Sequence, residues 1–146
     1  MSLAPSELLA GRRLLLTGAT GFLGKVWLAH LLEHLPETEL VLVVRPGGGR
    51  AEPDERARRR LIDLLETSPA FRALHERLGA EELARRVAAR VRVLAGDVGA
   101  PRLGLGEQEL GPLDLVVHVA GLTDLDPELG PALDVNVQGA LEALEL

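Results

Sequence analysis

Leu14-Leu15-Leu16-Thr17-Gly18-Ala19-Thr20-Gly21-Phe22-Leu23-Gly24 sets a short apolar run against three glycines spaced three apart, and a helical apolar pattern begins at once. That order reads as strand, tight turn and helix start. A helix N-terminus offers unpaired N–H groups and the positive end of a dipole, which together hold an anion. In such a turn Gly18 takes backbone angles closed to other residues, Gly21 lets the main chain approach a pyrophosphate, and Gly24 lets helix and strand pack closely. Three glycines also suit an ordinary βα turn, so the reading depends on what surrounds them.

Working outward, the apolar run over residues 12–17 is the first strand, continuous as in a strand buried on both faces. Ser6 is placed as the cap of one helical turn over residues 7–9, stopped by Gly11. After the glycines, Phe22, Leu23, Val26, Trp27, Leu31 and Leu35 follow helical spacing until Pro36, which assigns Trp27 to the core. Residues 39–44 form a second all-apolar strand, and Pro46-Gly47-Gly48-Gly49 is a loop. Helices are expected over 53–66, 69–78 and 81–90. Arg56, Arg58, Arg59 and Arg60 stand among acids and read as a solvated helix face. A third strand covers 91–95 and a fourth 113–119. The loop between them, 99–111, has one expected helical turn at 107–110, and residues 127–146 read mainly as helix despite Pro131. Alternating apolar strands and helices predict an α/β, Rossmann-like doubly wound parallel sheet with four strands and helices on both faces, one domain over 1–146.

Composition narrows the function. The chain has 146 residues, 47% of them hydrophobic, enough for a real core. With aromatics at 2% and a net charge of −6, it lacks both the stacking platforms and the basic surface that nucleic acids require. Cysteine is absent, which removes disulfides and thiolate metal sites. No signal-peptide pattern or bilayer-length apolar run is present, and a soluble cytoplasmic domain is the expectation. His30, His34 and His75 form no ligand-like set with carboxylates, so no metal is assigned. A nucleophile elbow and a Walker lysine are both missing, which sets aside hydrolase and P-loop kinase readings.

The candidate chemistry lies at the strand ends. Where a dinucleotide fold meets the adenosine ribose, about 20 residues beyond the glycines, this chain carries Arg45. A guanidinium cannot accept from a 2′-hydroxyl but forks onto a 2′-phosphate, which points to NADP, with Arg50 or Arg56 as a second charge. Asp97 follows the third strand, where its carboxylate would accept from the adenine amine. His118, inside an apolar strand, reads as structural. Ala120-Gly121 is small enough for the fourth strand to pass close to a cofactor.

Thr17-Gly18-Ala19-Thr20-Gly21-Phe22-Leu23-Gly24 resembles the glycine turn of extended short-chain dehydrogenases/reductases. Val43-Val44-Arg45-Pro46, Ser68-Pro69-Ala70-Phe71 with Leu74, and Ala95-Gly96-Asp97-Val98 narrow the resemblance to the fatty acyl-CoA reductase (male-sterility) and thioester reductase branch. Arg102-Leu103-Gly104-Leu105 and Asn136-Val137-Gln138-Gly139 complete the set. The resemblance implies that Thr20, Gly21, Phe22 and Leu23 wrap the pyrophosphate of NADPH and that Arg45 holds its 2′-phosphate. Asp97 and Val98 would flank the adenine, Ala120 and Gly121 would line the nicotinamide side, and Asn136 would support the active-site helix. Gly121 stands where the family more often has a second alanine, and Leu125 where it has phenylalanine.

The same resemblance implies reduction of an acyl thioester to an aldehyde or alcohol, with acyl-CoA the first substrate and an acyl chain on a carrier protein the second. Its hydride transfer uses a serine or threonine and a Tyr-x-x-x-Lys pair after a fifth strand, whereas this chain contains no tyrosine. The expectation is therefore the N-terminal, cofactor-binding part of a longer reductase, inactive alone. A non-catalytic NADP-binding module is the alternative. A sugar-nucleotide epimerase or dehydratase is disfavoured by Arg45 and by the helical insert over 53–90. With strand order third, second, first, fourth, the fourth strand is an apolar edge. Self-association through it is expected, and Asp114→Lys with Val116→Lys should oppose it.

Overall fold

The computed structural model describes residues 4–108 and 110–146. Its frame is a parallel sheet of β1 (Arg13–Thr17), β2 (Glu39–Val44), β3 (Val91–Ala95) and β4 (Leu115–His118), in the spatial order β3-β2-β1-β4. Thr17 stands opposite Val43 of β2 and His118 of β4, and Val44 stands opposite Ala95 of β3. The carboxyl ends of the strands therefore meet along one rim. This is the expected doubly wound order, and β4 is the outer strand beside β1.

Side chains alternate across the pleat, so each all-apolar strand feeds two cores. Leu14, Leu16, Leu40, Leu42 and Val44 face one layer, where they meet Leu28, Leu61, Phe71, Leu74 and Leu83 of the helices between β1 and β3. Leu15, Val41, Val43 and Leu94 face the other, against Val98, Leu103, Leu105 and Ala143. Full burial of each such leucine contributes about 2 kcal/mol.

The first layer holds α1 (Pro5–Leu9), α2 (Phe22–His34), α3 (Pro53–Thr67), α4 (Arg72–Leu78) and α5 (Ala80–Arg90), with a 3₁₀ turn at Pro69–Phe71. Arg90 ties it together. Its guanidinium donates to the carbonyls of Leu32 at 2.6 Å and Leu31 at 3.3 Å, and also to Leu35. It thereby adds charged donors to the carboxyl end of α2, where the Leu31 carbonyl also accepts the Leu35 N–H at 3.2 Å.

Two local expectations are corrected. Trp27 is not core: it is 42% exposed, and Phe22, Leu23 and Val26 also face outward. The buried face of α2 is Gly24, Leu28, Leu31 and Leu32; Phe22, Leu23, Val26 and Trp27 put apolar residues on its other sides as well, so spacing alone selects no face. Ser6 is not the cap of α1. Ala4 precedes the helix, and its N–H donates to Glu7 Oε2 at 2.9 Å; residues 1–3 lie outside the described set. The turn expected over 107–110 includes residue 109, also outside that set. A turn stands earlier, at Pro101–Gly104, with Arg102 and Leu103 at φ 51° and 56° and Leu103 fully buried. That left-handed pair carries no glycine signal in the sequence. After β4, α6 (Leu129–Leu133), a π-helical turn (Asp134–Gln138) and α7 (Gly139–Leu144) run on as one helix. Pro131 is tolerated in its first turn, where an N–H has no partner to lose.

Candidate cofactor site

The chain leaves β1 through Gly18, whose φ of +73° belongs to the left-handed region. A Cβ at Gly18 would lie 2.5 Å from the backbone nitrogen of Ala120, so the turn and the end of β4 touch through bare backbone. A Cβ at Gly24 would lie 2.0 Å from the Gly18 carbonyl oxygen. Gly24 is thus a packing glycine and does not line the cavity described below. Gly21 donates its N–H to that same carbonyl at 2.9 Å and precedes the first residue of α2. No side chain caps α2, and no acid occupies its first turn. The first N–H groups of a 13-residue helix are left facing outward, where a ligand can take them.

In front of these groups lies a cavity of about 530 Å³. Gly18, Thr20, Gly21, Phe22 and Leu23 form its floor, Arg45, Asp97 and Val98 one end, and Ala120 and Gly121 the other. Of the residues assigned to cofactor contact from the sequence, Gly24 and the alternative second charges Arg50 and Arg56 do not line it; the others do.

Underneath, buried Thr17 joins the two strands that frame the turn. Its hydroxyl lies 2.9 Å from His118 Nδ1 and accepts the Ala120 N–H at 3.4 Å. Burial holds the His118 pKa below its ordinary value, and the residue does not line the cavity. Asn136 works at the far end. It accepts the Leu122 N–H at 2.8 Å and donates to the Leu122 carbonyl at 3.0 Å, pinning the segment after β4. It does not line the cavity. A Cβ at Gly121 would come within 3.3 Å of Asn136 Oδ1, so the alanine more usual in the family would crowd this contact.

At the Arg45 end, Arg45 Nη2 pairs with Asp97 Oδ1 at 3.0 Å, and the same oxygen accepts the Gly99 N–H at 3.1 Å. The second cation is Arg60, not Arg50 or Arg56. Arg60 lines the cavity and donates to the Arg45 carbonyl at 2.9 Å. Arg50 and Arg56 line a neighbouring depression of about 390 Å³ with Arg59, and Arg56 donates to the Gly47 carbonyl. The solvated-face reading of the arginine run holds for Arg59, which pairs with Glu55, and fails for Arg60. Four arginines within five positions point to all sides of a helix. Only the seating of α3, fixed where Asp54 accepts the Ala95 N–H at 2.8 Å, selects the one that reaches β2.

The donor set fits a dinucleotide: free helix N–H groups at a bare-backbone turn, two guanidiniums at one end and small residues at the other. A family model described as Male sterility protein matches residues 16–146. Among curated proteins, fatty acyl-CoA reductase 8 of Arabidopsis thaliana is 34% identical over 142 residues, covering 93% of this chain and 28% of the reductase. Isonitrile lipopeptide synthase of Mycobacterium tuberculosis is 38% identical over 143 residues, covering 92% of this chain and 5% of the synthase. Among solved structures, the terminal R domain of the myxalamid PKS-NRPS pathway superposes with a TM-score of 0.71 at 27% identity, covering 93% of this chain and 31% of that one. The chain spans less than a third of the length of these relatives.

Proposed function

The chain belongs to the male sterility protein family, and on that premise we propose that it forms the NADPH-binding part of a reductase acting on acyl thioesters. The observation that carries the cofactor choice is Arg45, which lines the same cavity as the glycine turn and has Arg60 beside it. The nicotinamide supplies a hydride when bound, and the protein supplies position and charge. In this reading the N–H groups at Phe22 and Leu23 take the pyrophosphate, Thr20 and Gly21 leave room for its approach, and Arg45 and Arg60 take the 2′-phosphate. Asp97 and Val98 flank the adenine, while Ala120 and Gly121 leave room for the nicotinamide.

Acyl-CoA is the first substrate class, in keeping with the plant reductase. An acyl chain on a carrier protein is the second, in keeping with the similarity to an archaeal thiolation-reductase di-domain, 26% identical at a TM-score of 0.69. With no tyrosine among the 146 residues, the acid that protonates the carbonyl oxygen has to come from elsewhere in the polypeptide, and this chain alone is inactive.

Titration calorimetry on the 146-residue chain tests the cofactor choice. NADPH should bind at least about tenfold tighter than NADH, and Arg45→Asp should reverse the order, since a carboxylate repels the phosphate and accepts from a ribose hydroxyl. Equal affinities in the wild type would overturn it. A full-length polypeptide that binds NADPH but oxidises it with neither acyl-CoA nor acyl carrier protein would be a binding module instead.

A further inference from the structure

Asp97 is held by two backbone hydrogen bonds on its own loop. Its N–H donates to the Leu103 carbonyl at 2.8 Å, and its Oδ1 accepts from Gly99 at 3.1 Å. The loop is tight: a Cβ at Gly104 would lie 2.8 Å from the Asp97 nitrogen. Arg45 is held only by its backbone, through the bond from Arg60, while its guanidinium reaches over to Asp97. The fixed partner of this ion pair is thus the carboxylate, and the movable one is the guanidinium. The pair also joins the ends of adjacent strands β2 and β3 across the Arg45 end of the cavity.

We propose that Asp97 competes with the ligand's 2′-phosphate for Arg45, so that the ion pair is a built-in brake on cofactor affinity. This rests on the cofactor reading above. A dianionic phosphate approaching Arg45 meets a carboxylate on the same guanidinium. It binds only after Arg45 turns away from Asp97 or the two anions share one cation, and each route costs affinity. A binding-competent state that is only partly populated lowers apparent affinity by its fraction. The pair is about half exposed on both sides, so the brake is modest. Releasing Arg45 also frees the Asp97 carboxylate to accept from the adenine amine, which links two contacts in one exchange. A ligand without the 2′-phosphate offers Arg45 nothing in return for Asp97.

The experiment is titration calorimetry of the 146-residue chain with adenosine 2′,5′-bisphosphate and with 5′-AMP, for wild type, Asp97→Asn and Arg45→Ala. Asparagine keeps an oxygen for the Gly99 N–H and removes the charge. Asp97→Asn should raise the preference for the bisphosphate over 5′-AMP by about three- to tenfold, a ratio in which any change at the adenine contact common to both ligands cancels. The gain should shrink as salt rises through the Debye range. An unchanged or reduced preference in Asp97→Asn overturns the brake. If circular dichroism shows that Asp97→Asn is misfolded, Asp97→Ser, which also caps the loop without charge, carries the same expectation and the same overturning result. The cofactor reading fails separately: a wild type that does not prefer the bisphosphate, with Arg45→Ala indifferent, removes that reading. A preference that depends on Arg45 but is untouched at Asp97 removes the brake alone.

Discussion

The three glycines of the turn are not equivalent. At Gly24 the obstacle to a side chain is the Gly18 carbonyl, 2.0 Å from an added Cβ, and backbone cannot step aside as a flexible side chain can. Gly24→Ala should therefore destabilise the fold by about 2–3 kcal/mol or more, seen as a lowered denaturant midpoint. At Gly21 the nearest atom to an added Cβ is 3.2 Å away, so the fold has room for a small adjustment while the ligand's approach is filled. Gly21→Val should keep native circular dichroism and lose NADPH binding in calorimetry. Normal binding by Gly21→Val would reduce the glycines to a turn and remove the functional reading with them. The packing role of Gly24 is legible in the sequence, because the spacing of three sets it one helical turn beyond the glycine that starts the helix. Arg60 was not legible, since its reach to Arg45 depends on how α3 is seated.

At the scale of elements, the strands were read more accurately than the helices. An all-apolar five-residue run reads as a strand buried between two layers, while the order β3-β2-β1-β4 follows from the family resemblance and not from the run itself. A helix with apolar residues on more than one face gives no such information, and Trp27, expected in the core, is partly exposed for that reason. Two element-level contacts have measurable consequences. Arg90 closes the carboxyl end of α2 with charged hydrogen bonds, and Arg90→Met keeps its apolar stem but removes them, leaving the Leu32 carbonyl only the long bond from Arg86 at 3.3 Å. A loss of about 2 kcal/mol is expected by chemical denaturation. The Thr17–His118 pair gives a pH dependence. Burial places the folded pKa of His118 below its unfolded value of about 6.5, so the unfolded chain takes the proton first on acidification. The stability from the neutral ring is complete above that value and is lost as pH falls through it towards the folded pKa. His118→Asn should flatten the fall in unfolding free energy between about pH 7 and pH 5. A variant with the wild-type slope would assign that fall to other groups.

At the scale of the whole molecule, charge and apolar surface are unevenly divided. Beyond Arg102 the sequence holds no Lys or Arg and nine Asp or Glu. On the same side β4 pairs only with β1 among the described residues, leaving its other edge open. Leu129, Leu133, Val137, Leu141 and Leu144 form an exposed row along the helix that follows. An open apolar edge is a template for another strand, and its self-complement is a second β4 running antiparallel about a two-fold axis. The acids beside it oppose that pairing, and salt screens them. The 146-residue chain should therefore be mostly monomeric at low ionic strength and shift towards dimer, by light scattering, as salt is raised at high protein concentration. Asp114→Lys is a poor probe of this edge, because Asp114 accepts from the Arg13 N–H at 2.8 Å and pairs with Arg12 at 2.7 Å. That carboxylate is a β1–β4 link whose loss would disturb the sheet. Val116 packs against the second core and is equally unsuitable. Leu115, 39% exposed on β4, and Val137, on the exposed row, are the better pair. Leu115→Lys with Val137→Glu places charge on both parts of the surface while touching neither the cofactor cavity nor the buried leucines. This variant should stay monomeric at salt and protein concentrations where the wild type dimerises. Dimerisation that weakens with salt, or that survives the double substitution, would place the contact elsewhere.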